Sequence, residues 1–146
     1  MKKILSLAAA FLFTYAAMAQ TADLKADNVV KFNVENHDFG KLKQNVPVTY
    51  SFEIKNISDK PVTIENSWAS CGCTTPEKIE KPIMPGETAK LKVQYNSAAV
   101  AVFHKDVFVK IAGIEQPKTV QISGEVLTAE AYDAWAKENA GKKGKN

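Results

Sequence analysis

Val46-Pro47-Val48-Thr49-Tyr50-Ser51-Phe52-Glu53-Ile54-Lys55-Asn56 is the stretch on which the fold turns. Val48, Tyr50, Phe52 and Ile54 alternate with Thr49, Ser51, Glu53 and Lys55, the period of two that marks a strand with one buried face. Each of the four is worth about 1.5–3 kcal/mol when fully buried. A slip of one residue would turn all four to water, so the register is strongly specified. Upstream, Val30, Phe32 and Val34 alternate with Lys31, Asn33 and Glu35 as a second strand. Asn36-His37-Asp38-Phe39-Gly40 then reads as a strand corner, with Gly40 free in its backbone and Phe39 as a plug.

Downstream, Asn56-Ile57-Ser58-Asp59-Lys60-Pro61 is a polar turn closed by proline, and Val62 and Ile64 begin a strand that leads to Trp68. Lys81-Pro82-Ile83-Met84-Pro85-Gly86 ends in a Pro-Gly turn. Ala89, Leu91, Val93 and Tyr95 alternate with Lys90, Lys92 and Gln94. After a looser segment over 96–102, Phe103, Lys105, Val107, Val109 and Ile111 share a face, and Val120, Ile122 and Val126 mark the last strand. Strand-like runs at short spacing, with no helix-period segment between them, predict an all-β antiparallel sandwich of about seven strands, with a closed barrel as the alternative. Thr128 is placed to cap a short helix over 129–140 that gathers Tyr132, Trp135 and Ala136. Alone such a helix is marginal, so weak docking or fraying is expected, followed by a solvated lysine-rich tail.

The chain opens as a secretory signal does: Lys2 and Lys3, an apolar run over 4–17, and the small-x-small site Ala17-Met18-Ala19. The apolar run, about 14 residues, falls short of the roughly 20 that span a bilayer, and no later segment reaches that length. The expected division is a signal peptide over 1–19, a loose lead-in over 20–28, a sandwich domain over 29–127, and a helix with tail over 128–146. The expected location is periplasmic or extracellular. The chain holds 19 basic and 16 acidic residues, and removing Lys2 and Lys3 leaves 17 against 16, close to neutral. Every basic residue is lysine, so the bidentate fork of arginine is missing and nucleic-acid binding is disfavoured.

Both cysteines fall in Trp68-Ala69-Ser70-Cys71-Gly72-Cys73-Thr74-Thr75-Pro76. In an exported chain this pattern allows one intramolecular disulfide. On an extended strand both sulfurs share a face, but their β-carbons stand farther apart than the roughly 3.5–4.5 Å a disulfide needs. Gly72 is expected to supply an unusual backbone conformation that closes the ring, giving a strained and reducible bridge. A local staple or buried thiol pair, a thiol–disulfide exchange couple, a soft-metal site and an intermolecular bridge all remain open. His37 and His104 could complete a ligand set with the cysteines by count, yet they belong to distant strands; His37 reads as a corner residue and His104 as an exposed strand residue. Trp68 reads as core. No hydrolase, kinase or phosphate-loop motif and no cofactor-binding pattern occurs.

The runs His37-Asp38-Phe39-Gly40, Phe52-Glu53-Ile54-Lys55-Asn56, Ser70-Cys71-Gly72-Cys73-Thr74, Pro85-Gly86-Glu87 and Ile122-Ser123-Gly124-Glu125-Val126 resemble, in order and spacing, the exported bacterial family called domain of unknown function 1573. Cys-Gly-Cys-Thr is the most specific element. The resemblance implies an immunoglobulin-like sandwich, similar to major sperm protein and hydin-type modules, in envelope proteins frequent among Bacteroidetes. Ala101-Val102-Phe103 and Lys110-Ile111-Ala112-Gly113 stand where similar chains carry a glycine and an asparagine, so the hairpin over 97–115 is the part the resemblance constrains least. The expected function is a non-enzymatic module that binds an envelope protein or surface component through its sheet edges and loops; the alternative is a thiol-redox or soft-metal role for Cys71 and Cys73.

Overall fold

The computed structural model describes residues 24–140, so the expected signal peptide and lysine tail lie outside the described residues. Two open four-stranded sheets face each other. The first runs β1 (Val30–Phe32), β3 (Val48–Asn56), β6 (Thr88–Tyr95), β5 (Thr74–Pro76); the second runs β2 (Asn36–Lys43), β8 (Lys118–Leu127), β7 (Val102–Ile111), β4 (Ile64–Ala69). Phe52, Ile54, Leu91 and Val93 from the first sheet meet Val107, Val109, Val120 and Ile122 from the second, and all eight are fully buried. The phase read from 46–56 is the phase observed. Phe52 lies opposite Leu91 and Ile54 opposite Ala89, so the buried faces of β3 and β6 are in register.

Eight strands form where about seven are expected, and one pairing is parallel: β2 runs alongside β8. The cause lies at Asn33. Its side-chain oxygen accepts the N–H of Glu53 at 2.9 Å, ending the β1 ladder, and the chain crosses to the other sheet over 33–35. Val34, expected inside, is therefore exposed. The segment expected to be a corner is strand β2. Its bend is confined to a bulge between Asp38 and Lys41, where Gly40 adopts φ 68° and donates its N–H to Asp38 Oδ1 at 2.8 Å.

That bulge presses on β8. A Cβ built on Gly124 would sit 2.8 Å from the Gly40 carbonyl oxygen and 2.9 Å from the Phe103 ring. Two glycines from distant motifs are thus explained by one close approach. The hairpin that joins β7 to β8 forms without the expected glycine and asparagine: Gly113 takes φ 76° and Lys110 Nζ donates to the carbonyls of Ile114 and Glu115.

The lead-in is ordered at its end, where Ala26–Asn28 makes a 3₁₀ turn with Ala26 in the core. Lys118 Nζ reaches Asp27 Oδ1 at 2.7 Å and Glu35 Oε1 at 2.5 Å. Burial works to lower the pKa of that ammonium, but hydrogen bonds and charge from the two carboxylates outweigh it and the value is raised. At the far end, α1 (Ala129–Ala140) is capped as expected: Ala131 N–H donates to Thr128 Oγ1 at 3.2 Å. Tyr132 and Trp135 stand 5.6 Å apart, no helix residue is buried, and Lys43 pairs with Asp133 at 2.9 Å, so the helix rests lightly on β2 and β8.

Candidate functional site

β4 belongs to one sheet and β5 to the other, so residues 70–73 carry the chain between layers, and both cysteines lie in that crossover. Its backbone is fixed by hydrogen bonds that do not involve sulfur. Ser70 N–H donates to Asp106 O at 3.0 Å, Asp106 N–H to Ser70 Oγ at 3.2 Å, Thr74 N–H to Cys71 O at 3.3 Å, and Asn96 N–H to Cys73 O at 3.0 Å. Within this frame Cys71 and Cys73 are joined as a disulfide with their Cα atoms 5.4 Å apart. Both are half-buried; Cys73 packs against the core cluster, and Gly72 is exposed.

Gly72 does not bend the way the spacing led one to expect. Its φ stays out of the left-handed region, and a Cβ there would meet no atom within 4 Å. The turn over 71–74, closed by the Thr74 N–H, supplies the curvature instead. Thr74 itself is 4% exposed, and its hydroxyl lies 3.8 Å from Cys71 Sγ and 3.9 Å from Cys73 Sγ. Among the described residues those sulfurs are its sole hydrogen-bonding partners.

Trp68 is not core. A bulge between Ile64 and Asn66 inserts one residue into β4 and reverses the facing of the residues beyond it, so Ala69 turns inward and Trp68 outward. There it stacks on Phe108, ring centroids 5.4 Å apart, and is 38% exposed. His37 is not a corner residue but a half-buried member of β2, stacked on Tyr50 at 3.5 Å and edge-on to Phe39 at 4.6 Å. Burial lowers its pKa below the ordinary histidine value, with Asp38 pulling the other way. His104 is exposed on β7 opposite Ser123, as expected. Among the described residues no three His, Cys, Asp or Glu side chains converge as a metal site, so the two histidines and the cysteines do not form one ligand set.

Two features escape a reading by alternation. Asn56 is fully buried: Nδ2 donates to Lys60 O at 2.7 Å and Ile83 O at 2.8 Å, while Oδ1 accepts from Ser58 N–H at 2.9 Å and Ser58 Oγ at 2.8 Å. Its position in phase with Ile54, two residues before a serine, was the available signal. The second is the loop over 96–101 beside the disulfide. Asn45 N–H donates to Ser97 O at 2.9 Å, and both residues are left-handed, at φ 60° and 53°. Ala98, Ala99, Val100 and Ala101 are exposed, as are Val102 and Val46. The buried Ser97 hydroxyl has no partner among the described residues.

Two open sheets, with the first long strand parallel to the last and a chain that switches layers after β1, β2, β3, β4 and β6, make this an immunoglobulin-like β-sandwich. Residues 30–126 match the family described as Protein of unknown function (DUF1573), and the chain belongs to it. Among solved structures the chain is similar to a protein of unknown function from Porphyromonas gingivalis W83 (TM-score 0.57, 14% identity, 66% of this chain and 46% of that one). It is also similar to an ASH/PapD-like domain of human CEP192 (TM-score 0.53, 10% identity, 69% and 87%) and to WR4, a C. elegans MSP family member (TM-score 0.50, 6% identity, 68% and 98%). At these identities the likeness is one of fold, and the chain spans less than half of the P. gingivalis structure. None of the curated proteins matches the sequence.

Proposed function

We propose that the protein is an exported, non-enzymatic immunoglobulin-like module that binds an envelope protein through the loop end of the sandwich beside Cys71 and Cys73. The observation that carries this reading is the uncharged run over 97–102, exposed from Ala98 to Val102 and joined by the exposed Val46. Exposed apolar surface of this kind suits a protein partner presenting an apolar face. The run is also held in place: two left-handed residues and the Asn45–Ser97 hydrogen bond fix its base, and the Asn96–Cys73 hydrogen bond ties it to the crossover. Such strain collects at ligand-binding sites, and a preformed surface loses little entropy on binding. Export rests on the signal-like pattern of residues 1–19.

The test compares wild type with Val100→Asp/Val102→Asp in cross-linking to envelope fractions, after thermal melts show that both chains are folded. A cross-linked species formed by wild type and lost in the variant supports the proposal. Equal cross-linking by both chains overturns it, as does a product that consists of two copies of this chain.

A further inference from the structure

We propose that Cys71 and Cys73 are a thiol–disulfide exchange couple rather than a structural staple, with the Thr74 hydroxyl donating to the thiolate released when the bridge opens. The ring they close spans a sequence separation of 2, the class of loop whose closure restricts an unfolded chain least. The crossover does not depend on the bridge for its shape. Ser70, Asp106, Thr74 and Asn96 hold its backbone through hydrogen bonds that survive reduction. Neither cysteine is fully buried, and Gly72 between them is exposed and presents no side chain.

Thr74 gives the pair a direction. A buried hydroxyl normally finds a strong acceptor, yet this one faces two disulfide sulfurs, which accept weakly. Opening the bridge changes that: a thiolate at either position accepts a charge-assisted hydrogen bond, and the buried donor is satisfied. The hydroxyl therefore stabilises the open form over the closed one. Both cysteines are half-buried, but Cys73 alone packs on the core, so the attack is assigned to Cys71 Sγ.

The co-reactant is a dithiol. One of its thiolates attacks Cys71 Sγ, forming a mixed disulfide and expelling Cys73 as a thiolate beside Thr74. Its second thiolate attacks the dithiol's own sulfur in that mixed disulfide, releasing Cys71 and closing the dithiol into a disulfide. Two electrons pass to the pair, protons follow according to pH, and the reverse sequence oxidises a dithiol. The exchange is stoichiometric.

The experiment equilibrates the chain lacking residues 1–19 with mixtures of reduced and oxidised dithiothreitol, traps thiols by alkylation and reads intact mass, with circular dichroism on the same samples. Wild type is expected to open while keeping its β signal. Thr74→Val should need a roughly ten-fold higher ratio of reduced to oxidised dithiol to open, and the pH of half-maximal alkylation rate of its reduced form should rise, whereas Thr74→Ser should behave as wild type. A bridge that stays closed until urea unfolds the chain overturns the proposal. So does a Thr74→Val protein with wild-type equilibrium and pH profile; if that variant does not fold, wild type with and without urea decides.

Discussion

Replacing Asn56 with alanine removes four hydrogen bonds from a position without access to water. At a net value of about 1 kcal/mol each, the loss approaches 4 kcal/mol. Two acceptors find other donors: the Ser58 hydroxyl, freed from Asn56, can turn its proton to Lys60 O at 3.0 Å, and Ile83 O retains Val62 N–H at 2.9 Å. That lowers the expected cost to about 3 kcal/mol, a large share of the 5–15 kcal/mol typical of a domain. Urea denaturation of the chain lacking residues 1–19 should show the midpoint falling by about 1.5–2 M with an unchanged slope. Asn56→Asp keeps the shape but removes both donors and points a carboxylate at two carbonyls. It should cost at least as much at neutral pH and recover in part in acid, where the protonated carboxyl donates once. A loss below about 1 kcal/mol for alanine, or a neutral aspartate variant, would refute the view that this side chain organises the turns around it.

Gly124→Ala should cost about 1–3 kcal/mol, because its Cβ meets a backbone carbonyl and a packed ring, whereas Gly72→Ala should stay within about 0.5 kcal/mol; equal shifts in melting temperature would contradict the close approach to Gly40. Cys71→Ala/Cys73→Ala should lose only about 1.6 kcal/mol, the chain-entropy value for a three-residue loop, and a measured loss above about 4 kcal/mol in urea would restore the staple. His37 has a folded pKa below its unfolded value of 6.5, so the unfolded chain takes up more protons as pH falls through that value and stability drops towards acid. His37→Phe keeps a ring against Tyr50 without a titrating group, and its melting temperature should fall less than wild type's between pH 7.5 and 5.

The strands that alternation revealed are those with one face wholly in the core: β3, β6, β7 and β8 were legible because Phe52, Leu91, Val107 and Ile122 recur at every second position of their runs. β2 was not, because only Leu42 of its residues is fully buried and its ladder partner lies more than eighty residues downstream. Trp68 was misread for a related reason: one inserted residue in β4 reverses facing, and nothing in composition announces a bulge. The cysteine pair was visible from spacing alone. The role of Thr74 was not, since its burial follows from β5 pairing Thr74 with Tyr95 of β6, in the sheet the chain has just entered.

The parallel ladder between β2 and β8 sets an order on self-assembly. Residues 36–43 form an edge strand whose ladder is made to β8 alone, so they must wait unpaired until 118–127 have emerged, and no early nucleus can contain both sides of that seam. A polypeptide cut or stalled ahead of residue 118 keeps the partners β3 and β6 but leaves the opposite layer without β8, the strand that joins β2 to β7. Completion late in synthesis, through contacts of long sequence separation, makes for slow closure and a long interval in which the growing chain stays threadable.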